Sequence, residues 1–296
     1  MLDQLDDFIE CFPNNQLLII CNHVPTAQRV YEYIINGIEE GFFNIDRPVL
    51  IHSRFTQRDR SNLEDKILNQ QPSILISTQV VEVSLNLDYN ACLSEPAPID
   101  ALIQRFGRVN RYGKREPENV IILTEQVNKF DIYPEVIVSK TLEQFELLRD
   151  ASLTEKDLID AADMVYADGY NEKELNEFER ALNYPELIDF DEHTIAGIYR
   201  NWIEDVMEGT DQSIDVLPEM YHDEYVRLRK EKRWIEARML FVTLRVTQFA
   251  MLINKGYIEK MIDDENVFEI TAPYDPMIGL QISELSQKKE DGAVFI

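Results

Sequence analysis

The arginine-rich segment QRFGRVNR, residues 104–111, is the part of this sequence whose residue types could do the most distinctive chemistry. Arg105, Arg108 and Arg111 lie close together in it, with Gly107 between the first two. A guanidinium group keeps its charge at any physiological pH and presents a planar fork of donors that matches phosphate oxygens. Packing several such cations together is unfavourable unless an anion receives them. The segment therefore predicts a phosphate-binding site.

Small polar residues follow the apolar runs that precede this segment. Residues 17–21, 49–52, 74–77 and 91–94 are predicted to be short buried strands, with a last strand at 119–123. In open parallel sheets, ligands bind at the carboxyl ends of the strands. The polar residues at those ends that could contact a ligand are Asn22, His52, Ser53, Arg54, Ser77, Thr78 and Gln79.

Helical patterns separate these strands, which predicts an α/β fold with a parallel sheet covered on both faces. The predicted helices span residues 26–40, 56–69 and 99–109, and Thr56 is the expected N-cap of the second. Continued helical spacing from Arg105 through Arg108 to Arg111 would place the three arginines on neighbouring parts of one helix surface.

The second half of the chain has a different pattern, which predicts a mostly α-helical C-terminal domain. Amphipathic helices are expected over residues 139–150, 154–166, 172–182 and 193–208, with a longer helical stretch at 218–260. Proline and glycine in residues 267–296 predict a short hairpin or an irregular cap. The expected domains are residues 1–135 and 136–296.

Composition limits the classes of function. The 296-residue chain carries a net charge of −26, which argues against a broad surface that binds a polyanion, so phosphate contacts should be local. No apolar run is long enough to cross a membrane, and the acidic start MLDQLDDFIE resembles no targeting peptide. Cys11, Cys21 and Cys92 form no CxxC pair, which predicts neither a zinc site nor disulfides and fits a reducing cytoplasm.

Four segments taken in order resemble the second RecA-like domain of superfamily 2 helicases. They are the strand end from Asn22 to Arg29, HSRFTQRDR at 52–60, STQVVEVSLNLDYN at 77–90 and QRFGRVNR at 104–111. The pattern QRxGRxxR alone is shared by many helicases. The combination of HSRF, TQVVEVS and APIDALIQR is more specific, and it resembles the CRISPR-associated helicase of type I systems. The resemblance is strong over residues 15–125 and weak in the second half, where similar proteins carry an accessory domain.

The resemblance implies ATP hydrolysis coupled to 3′-to-5′ movement on single-stranded DNA. Arg108 and Arg111 would face the γ-phosphate across a cleft between two RecA-like lobes and stabilise charge during phosphoryl transfer, while Gln104 would position the phosphates or the attacking water. Asn86, Asp88 and Arg105 would contribute to nucleotide binding. The strand-end residues from Asn22 to Gln79 named above would contact the nucleic-acid backbone, and such contacts are independent of base sequence.

Two features depart from the family pattern. After TQVVE the family has Gly and, two residues later, an Asp that helps to hold the ribose, whereas this sequence has Ser84 and Asn86. The sequence also contains no G-x-x-x-x-G-K-[ST] and no D-E-x-H-type motif, the elements that cradle phosphates and hold Mg²⁺. We therefore expect a partner N-terminal lobe to bind most of the ATP and Mg²⁺, and we expect the chain alone not to hydrolyse ATP.

The expected partners are that lobe, single-stranded DNA and the CRISPR effector (surveillance) complex, with no membrane. A second hypothesis is a non-catalytic interaction module, a degenerate lobe that binds the effector complex or a partner subunit. The acidic second half and Asn86 favour it. A DEAD/DExH RNA helicase is a third hypothesis, which the APIDALIQR context disfavours.

Overall fold

The computed structural model describes residues 2–12, 16–83, 86–113, 120–123, 132–149, 153–169, 175–176, 178–179, 213–261, 264 and 266–282. The first part of the chain alternates strands and helices. Its elements are α1 (Leu2–Cys11), β1 (Leu17–Ile20), α2 (Val24–Glu39), β2 (Val49–Ile51), α3 (Gln57–Gln70), β3 (Ile74–Ser77), α4 (Val80–Val83), β4 (Ala91–Ser94), α5 (Ile99–Phe106) and β5 (Val120–Ile122).

The five strands form one parallel sheet in the order β2-β3-β1-β4-β5. Every residue of β1 to β4 is buried, which explains why these strands are continuous apolar runs, since a parallel sheet is covered on both faces. Because β1 lies at the centre, its neighbours β3 and β4 bring their carboxyl ends beside Cys21 and Asn22. The predicted parallel α/β sheet is confirmed.

Helix α3 begins as predicted, whereas α5 ends earlier than predicted. Thr56 caps α3 by accepting a hydrogen bond from the backbone N–H of Asp59 at 3.1 Å. Helix α5 stops at Phe106 because the residues after it pair with the backbone of Tyr89, which donates to Arg108 O at 2.8 Å and accepts from Asn110 N at 3.0 Å. Arg111 therefore lies outside the helix, and the predicted helical arrangement of the three arginines is wrong.

Two helices follow the sheet and pack on α5. They are α6 (Glu135–Leu147) and α7 (Glu155–Val165), close to the predicted spans 139–150 and 154–166. Thr154 and Asp157 form a reciprocal capping box at the start of α7. The predicted helix at 172–182 is described at only four positions, and the one at 193–208 lies outside the described residues. The predicted boundary near residue 135 stays a prediction.

Residues 213–280 contain strands as well as helices, so the predicted helical stretch at 218–260 is wrong. The elements are β6 (Ser213–Pro218), a 3₁₀ turn (Glu219–Tyr221), α8 (His222–Lys230), α9 (Trp234–Arg238), β7 (Val242–Arg245), α10 (Val246–Asn254), β8 (Ile258–Lys260), β9 (Phe268–Ile270), β10 (Tyr274–Asp275) and β11 (Gly279–Leu280). Four of the strands form a mixed sheet in the order β7-β6-β9-β8.

The error has a local cause in the apolar run at 239–244. Val242 and Leu244 are buried while Thr243 and Arg245 are exposed, which is the two-residue period of a strand. Lys232 and Gly256 have positive φ and lie just after helices α8 and α10. The predicted tail hairpin is confirmed as β10 and β11, which pair antiparallel. Within the described residues, no helix is long and apolar enough to span a membrane.

Candidate functional site

Arg105 lies at the centre of a polar network at the carboxyl edge of the sheet. Its side chain is completely buried and forms an ion pair with Glu82, with Nε to Oε1 at 2.8 Å. The two terminal nitrogens donate to Ser94 Oγ, the carbonyl of Glu95, Asn22 Oδ1 and, at 3.4 Å, the hydroxyl of Tyr133. The guanidinium therefore joins segments that follow four different strands, β1, β3, β4 and β5. Because Arg105 has no exposed surface and all these partners, its role here is to hold the surrounding segments in place. The predicted contact of Arg105 with a nucleotide does not match this burial.

Asn22 is a second member of this network and is also buried. Its backbone N–H donates to Glu95 Oε2 at 2.5 Å, and its side-chain amide donates to the carbonyl of Pro96 at 2.7 Å. Gln79 donates from Nε2 to the carbonyl of Asn22 at 3.0 Å. Asn22 thus fixes the backbone after β1 against the backbone after β4. Burial, followed by the Glu95 charge, raises the pKa of the neighbouring Cys21 thiol well above its ordinary value.

Arg108 is half-buried beside the short helix α4. Its Nε donates to the carbonyl of Val81 at 2.9 Å, and Nη2 donates to the carbonyl of Glu82. Carbonyls in the last turn of a helix lack partners within the helix, so Arg108 acts as a side-chain cap. Desolvation and then the positive charge of Arg111 lower the pKa of Arg108.

Arg111 is exposed next to Arg108. Its backbone N–H donates to Asp88 Oδ1 at 2.8 Å, while its side chain has no hydrogen-bond or ion-pair partner among the described residues. Gln104, on α5, is exposed as well. The two arginines thus hold like charges close together at the surface, and no described carboxylate forms an ion pair with either.

The predicted ribose-contacting segment lies beside Arg111. Asn86 is exposed and donates from Nδ2 to the hydroxyl of Tyr112 at 3.2 Å. Asp88 is half-buried and holds the Arg111 backbone. Ser84 lies outside the described residues. Asn86, Asp88, Arg108 and Arg111 are therefore brought together on one part of the surface.

Of the residues in the loop after β2 that were predicted to contact nucleic acid, one is buried and two are at least partly accessible. His52 is completely buried, with Nε2 2.9 Å from the carbonyl oxygen of Ile278 and with Nδ1 accepting the backbone N–H of Arg54. Ser53 is exposed and Arg54 is half-buried. The Arg54 Nη1 atom is buried and has no hydrogen-bond partner among the described residues, and desolvation lowers the pKa of Arg54 to about 10. A cation in this state gains from a nearby anion.

The residues at the end of β3 are also buried. Ser77 is inaccessible and its hydroxyl lies within hydrogen-bonding distance of the carbonyls of Ile51 and Thr78. Thr78 is buried too, whereas Gln79 is partly exposed. The predicted contacts of His52, Ser77, Thr78 and Asn22 with nucleic acid therefore do not match this structure, because their polar atoms hold loops together beneath the surface.

Four partners of Arg105 are missing from the predicted site residues, namely Glu82, Ser94, Glu95 and Tyr133. An isolated acidic residue in the apolar stretch VVEV is a signal for a buried ion pair, and it could have identified Glu82. Tyr133 carries no comparable signal, because its contact depends on where the chain leads after β5.

Comparison with known proteins identifies the family of this sheet region. Residues 13–114 match the family model described as the CRISPR-associated nuclease/helicase Cas3, C-terminal. This segment is a Cas3-like C-terminal domain. It covers the whole network around Arg105 apart from Tyr133, and it includes Arg108 and Arg111.

Curated Cas3 relatives match much of the chain at modest identity. A putative Cas3 nuclease/helicase from Methanocaldococcus jannaschii is 28% identical over 230 residues, which are 70% of this chain and 29% of that protein. The Cas3 helicase from Thermoproteus tenax is 31% identical over 57% of this chain and 28% of its own length. The chain thus spans less than a third of these relatives.

Solved structures share the fold. The Cas3–ATP structure from T. fusca has a TM-score of 0.51 and 24% identity, and the match covers 73% of this chain and 28% of that one. A chain in a CRISPR RNA-guided surveillance complex, pre-nicking, has a TM-score of 0.54 and 19% identity over 95% of this chain and 41% of that one. These similarities establish a RecA-like lobe for the Cas3-family region.

Proposed function

We propose that this chain is the C-terminal half of a Cas3-type, ATP-dependent DNA helicase or translocase. In this proposal, another lobe binds most of the ATP and Mg²⁺, and this lobe supplies Arg108 and Arg111 to the triphosphate. The chain alone has no ATPase activity. The surveillance complex is a partner, and the pre-nicking complex named above supports that assignment by similarity of fold.

The observation that carries the proposal is the pair formed by Arg108 and Arg111. Two neighbouring guanidinium groups repel each other, and the one described carboxylate bound to this segment, Asp88, accepts the backbone N–H of Arg111. Such a pair fits an anion with several oxygens, and stabilising the charge that develops on a transferring phosphoryl group is the established use of such arginines. The Nε and Nη2 atoms of Arg108 already hold α4, so its remaining donors and the whole Arg111 side chain are available. Nucleotide binding by T. fusca Cas3 supports the same assignment.

Asn86 and Asp88 fit a contact with the sugar of the nucleotide. Both lie beside Arg111, and their side-chain oxygens can accept hydrogen bonds from ribose hydroxyls. Gln104 is accessible and has the amide needed to orient a phosphate or a water. Arg105 serves as a positioning residue that holds α4 and the strand ends around these groups.

For nucleic acid, the accessible residues after β2 fit a backbone contact best. Ser53 is exposed and Arg54 is half-buried, so a phosphate can contact the Ser53 hydroxyl and the exposed part of the Arg54 side chain, whose charge attracts an anion. Gln79 is the further strand-end residue with partial exposure. Asn22, His52, Ser77 and Thr78 support these loops from below.

The test is reconstitution of DNA-stimulated ATPase activity by mixing the chain with an N-terminal Cas3 lobe. We expect activity only in the mixture, and Arg111→Ala should lower kcat by about 10³-fold, the scale typical of an arginine finger. Arg108→Ala should have a similar effect with an added loss of stability, since α4 loses its cap.

Arg47→Ala is the matched control. Arg47 is an exposed arginine that pairs with Glu39 and precedes β2, which two strands separate from β4, next to which Arg108 and Arg111 lie. Its substitution should leave kcat unchanged. Full activity of both Arg108→Ala and Arg111→Ala would refute the proposal.

The alternative is a non-catalytic interaction module. It is favoured by the use of Arg108 as a helix cap and by the neutral Asn86 that pairs with Tyr112. A chain that binds the surveillance complex but never restores ATPase activity in the mixture would support this alternative.

A further inference from the structure

The C-terminal hairpin of β10 and β11 packs directly on the loop after β2. The backbone N–H of Leu280 donates to the carbonyl of Arg54 at 2.9 Å, and the carbonyl of Ile278 lies 2.9 Å from His52 Nε2. Gln28, on α2, holds the hairpin from the other side by donating to the carbonyls of Ile278 at 3.0 Å and Leu280 at 3.2 Å. The hairpin thus contacts the residues on both sides of Ser53, through the side chain of His52 and the backbone of Arg54.

Gly279 makes this close approach possible. Its φ is +78°, and a Cβ atom at this position would lie 2.6 Å from His52 Cε1 and 2.8 Å from the carbonyl oxygen of Arg54. Both distances are far below van der Waals contact, and the second involves backbone that cannot move aside easily. Any larger residue would therefore push the hairpin away from the loop or displace the loop itself.

Neighbouring contacts hold the rest of the same loop. The Tyr274 hydroxyl accepts the backbone N–H of Thr56 at 3.0 Å, and the carbonyl of Met239 accepts the N–H of Arg58 at 2.9 Å. These amides at the start of α3 are therefore occupied by residues from the C-terminal part of the chain. The groups left for an anion at this place are the exposed Ser53 and the exposed part of the half-buried Arg54 side chain.

We infer that the β10–β11 hairpin is a positioning element that sets the Ser53–Arg54 loop for contact with a nucleic-acid phosphate, and that Gly279 is the residue on which the fit depends. The inference rests on the nucleic-acid role proposed for Arg54. It adds that the C-terminal part of the chain determines how strongly the RecA-like lobe binds the DNA backbone.

The experiment measures binding of the full chain to a fluorescent single-stranded oligonucleotide, dT30, as a function of salt concentration. Losing one phosphate contact should reduce the magnitude of the log K against log salt slope by about 0.7 for a single strand. We expect this reduction, with weaker binding at low salt, for Arg54→Gln and for Gly279→Ala. The double variant should bind no more weakly than Arg54→Gln, because both changes act on the same contact.

Gly256→Ala is the matched control. Gly256 has a similar φ of +74°, but nothing lies within 4 Å of the position of its missing Cβ, so the substitution introduces backbone strain without touching the loop. Its salt slope should equal that of the wild type. If Gly279→Ala does not fold, Gln28→Met takes its place, since it removes the two hydrogen bonds that anchor the hairpin.

The possible failures are distinguishable. A folded Gly279→Ala or Gln28→Met chain that keeps the wild-type slope, while Arg54→Gln loses it, overturns the positioning role of the hairpin alone. An unchanged slope for Arg54→Gln, or no binding of dT30 by the wild type, overturns the nucleic-acid role of Arg54 and the inference with it.

Discussion

The Nε2 atom of His52 lies 2.9 Å from the carbonyl oxygen of Ile278, although 226 positions separate the two residues. Since a carbonyl only accepts, Nε2 carries the proton, and Nδ1 is left to accept the N–H of Arg54 at 3.1 Å. Both ring nitrogens are therefore satisfied by the neutral imidazole. Burial, the larger effect, outweighs the hydrogen bond to Ile278 and lowers the pKa of His52 to about 3.

This pKa predicts a loss of stability in mild acid. A histidine in the unfolded chain has a pKa of about 6.5, so the unfolded state binds a proton at His52 below that pH. The folded state does not bind this proton until the pH falls to about 3. The contribution of neutral His52 to the free energy of unfolding is complete above pH 6.5 and falls progressively as the pH drops from 6.5 towards 3. Between pH 7.5 and 5.0, we expect His52 to reduce the free energy of unfolding by about 2 kcal/mol, measured by urea denaturation at both values.

His52→Gln should be less stable than the wild type at pH 7.5 but should lose less stability on acidification. His23→Gln is the control, because His23 is partly exposed whereas His52 is completely buried. If His52→Gln loses as much stability as the wild type between the two pH values, the buried neutral histidine is not the cause.

Arg105 is expected to dominate the stability of the site region. Arg105→Ala would leave the charge of Glu82 uncompensated. It would also leave the oxygens of Ser94, Glu95 and Asn22 without the hydrogen bonds that Arg105 donates. The free energy of unfolding should therefore fall by about 3–5 kcal/mol. Arg149→Ala, at an exposed position paired with Glu146, should change it by less than about 1 kcal/mol. Urea denaturation curves at pH 7.5 measure both, and equal effects would contradict the assignment.

The sheet could be predicted from the sequence because its signals are local. Strands β3 and β4 coincide with the predicted spans, since a fully buried strand is an uninterrupted apolar run, and Thr56 carries a recognisable cap. The early end of α5 could not be predicted in the same way. It depends on hydrogen bonds with Tyr89, and sequence periodicity contains no information about a partner so far along the chain.

The roles of the candidate site residues stay predictions, and their burial could not be predicted. Motif order made Arg105, Arg108 and Arg111 candidates, but residue type does not distinguish the buried Arg105 from the exposed Arg111. His52 is buried because a hairpin from the far end of the chain covers it, and β7 replaced a predicted helix because its neighbour β6 supplies the backbone partners. The burial of His52 depends on tertiary structure, so no local pattern encodes it, whereas the two-residue alternation in β7 was a local signal of a strand.

Tyr274 and Tyr221 offer a matched pair for testing the interface beside the hairpin. Both hydroxyls donate to the same Asp59 oxygen, at 2.6 and 2.7 Å, and burial followed by these bonds to Asp59 raises the pKa of each phenol. Tyr274 also accepts the N–H of Thr56. Tyr274→Phe should therefore lower the free energy of unfolding by about 1 kcal/mol more than Tyr221→Phe does, because it leaves the Thr56 amide without a partner.

The double variant of these tyrosines should show a coupling of about 0.5 kcal/mol or more in urea denaturation, since the two hydroxyls share one acceptor. Additive effects, or equal costs of the two single changes, would contradict a shared role for Asp59.

The three cysteines should differ sharply in reactivity. Cys11 is exposed, whereas Cys21 and Cys92 are buried, and desolvation raises the pKa of Cys92 to about 12. Because the thiolate is the reactive form, iodoacetamide at pH 8 should modify Cys11 alone in the folded chain and all three in urea. Mass spectrometry of the alkylated peptides measures this. Rapid modification of Cys92 in the native protein would place β4 outside the core.

Asn86→Asp should improve nucleotide binding in the reconstituted motor. Restoring a carboxylate gives the ribose a charged acceptor, and a charge-assisted hydrogen bond exceeds a neutral one by about 1 kcal/mol, so the KM for ATP should fall about five-fold. The value of kcat should stay unchanged, because a sugar contact holds the ground state and the transition state equally. Tyr112→Phe separates this effect from the loss of the Asn86–Tyr112 bond, since it frees Asn86 without adding charge. A KM that falls equally in both variants would mean that releasing Asn86 from Tyr112, and not the new carboxylate, improves binding.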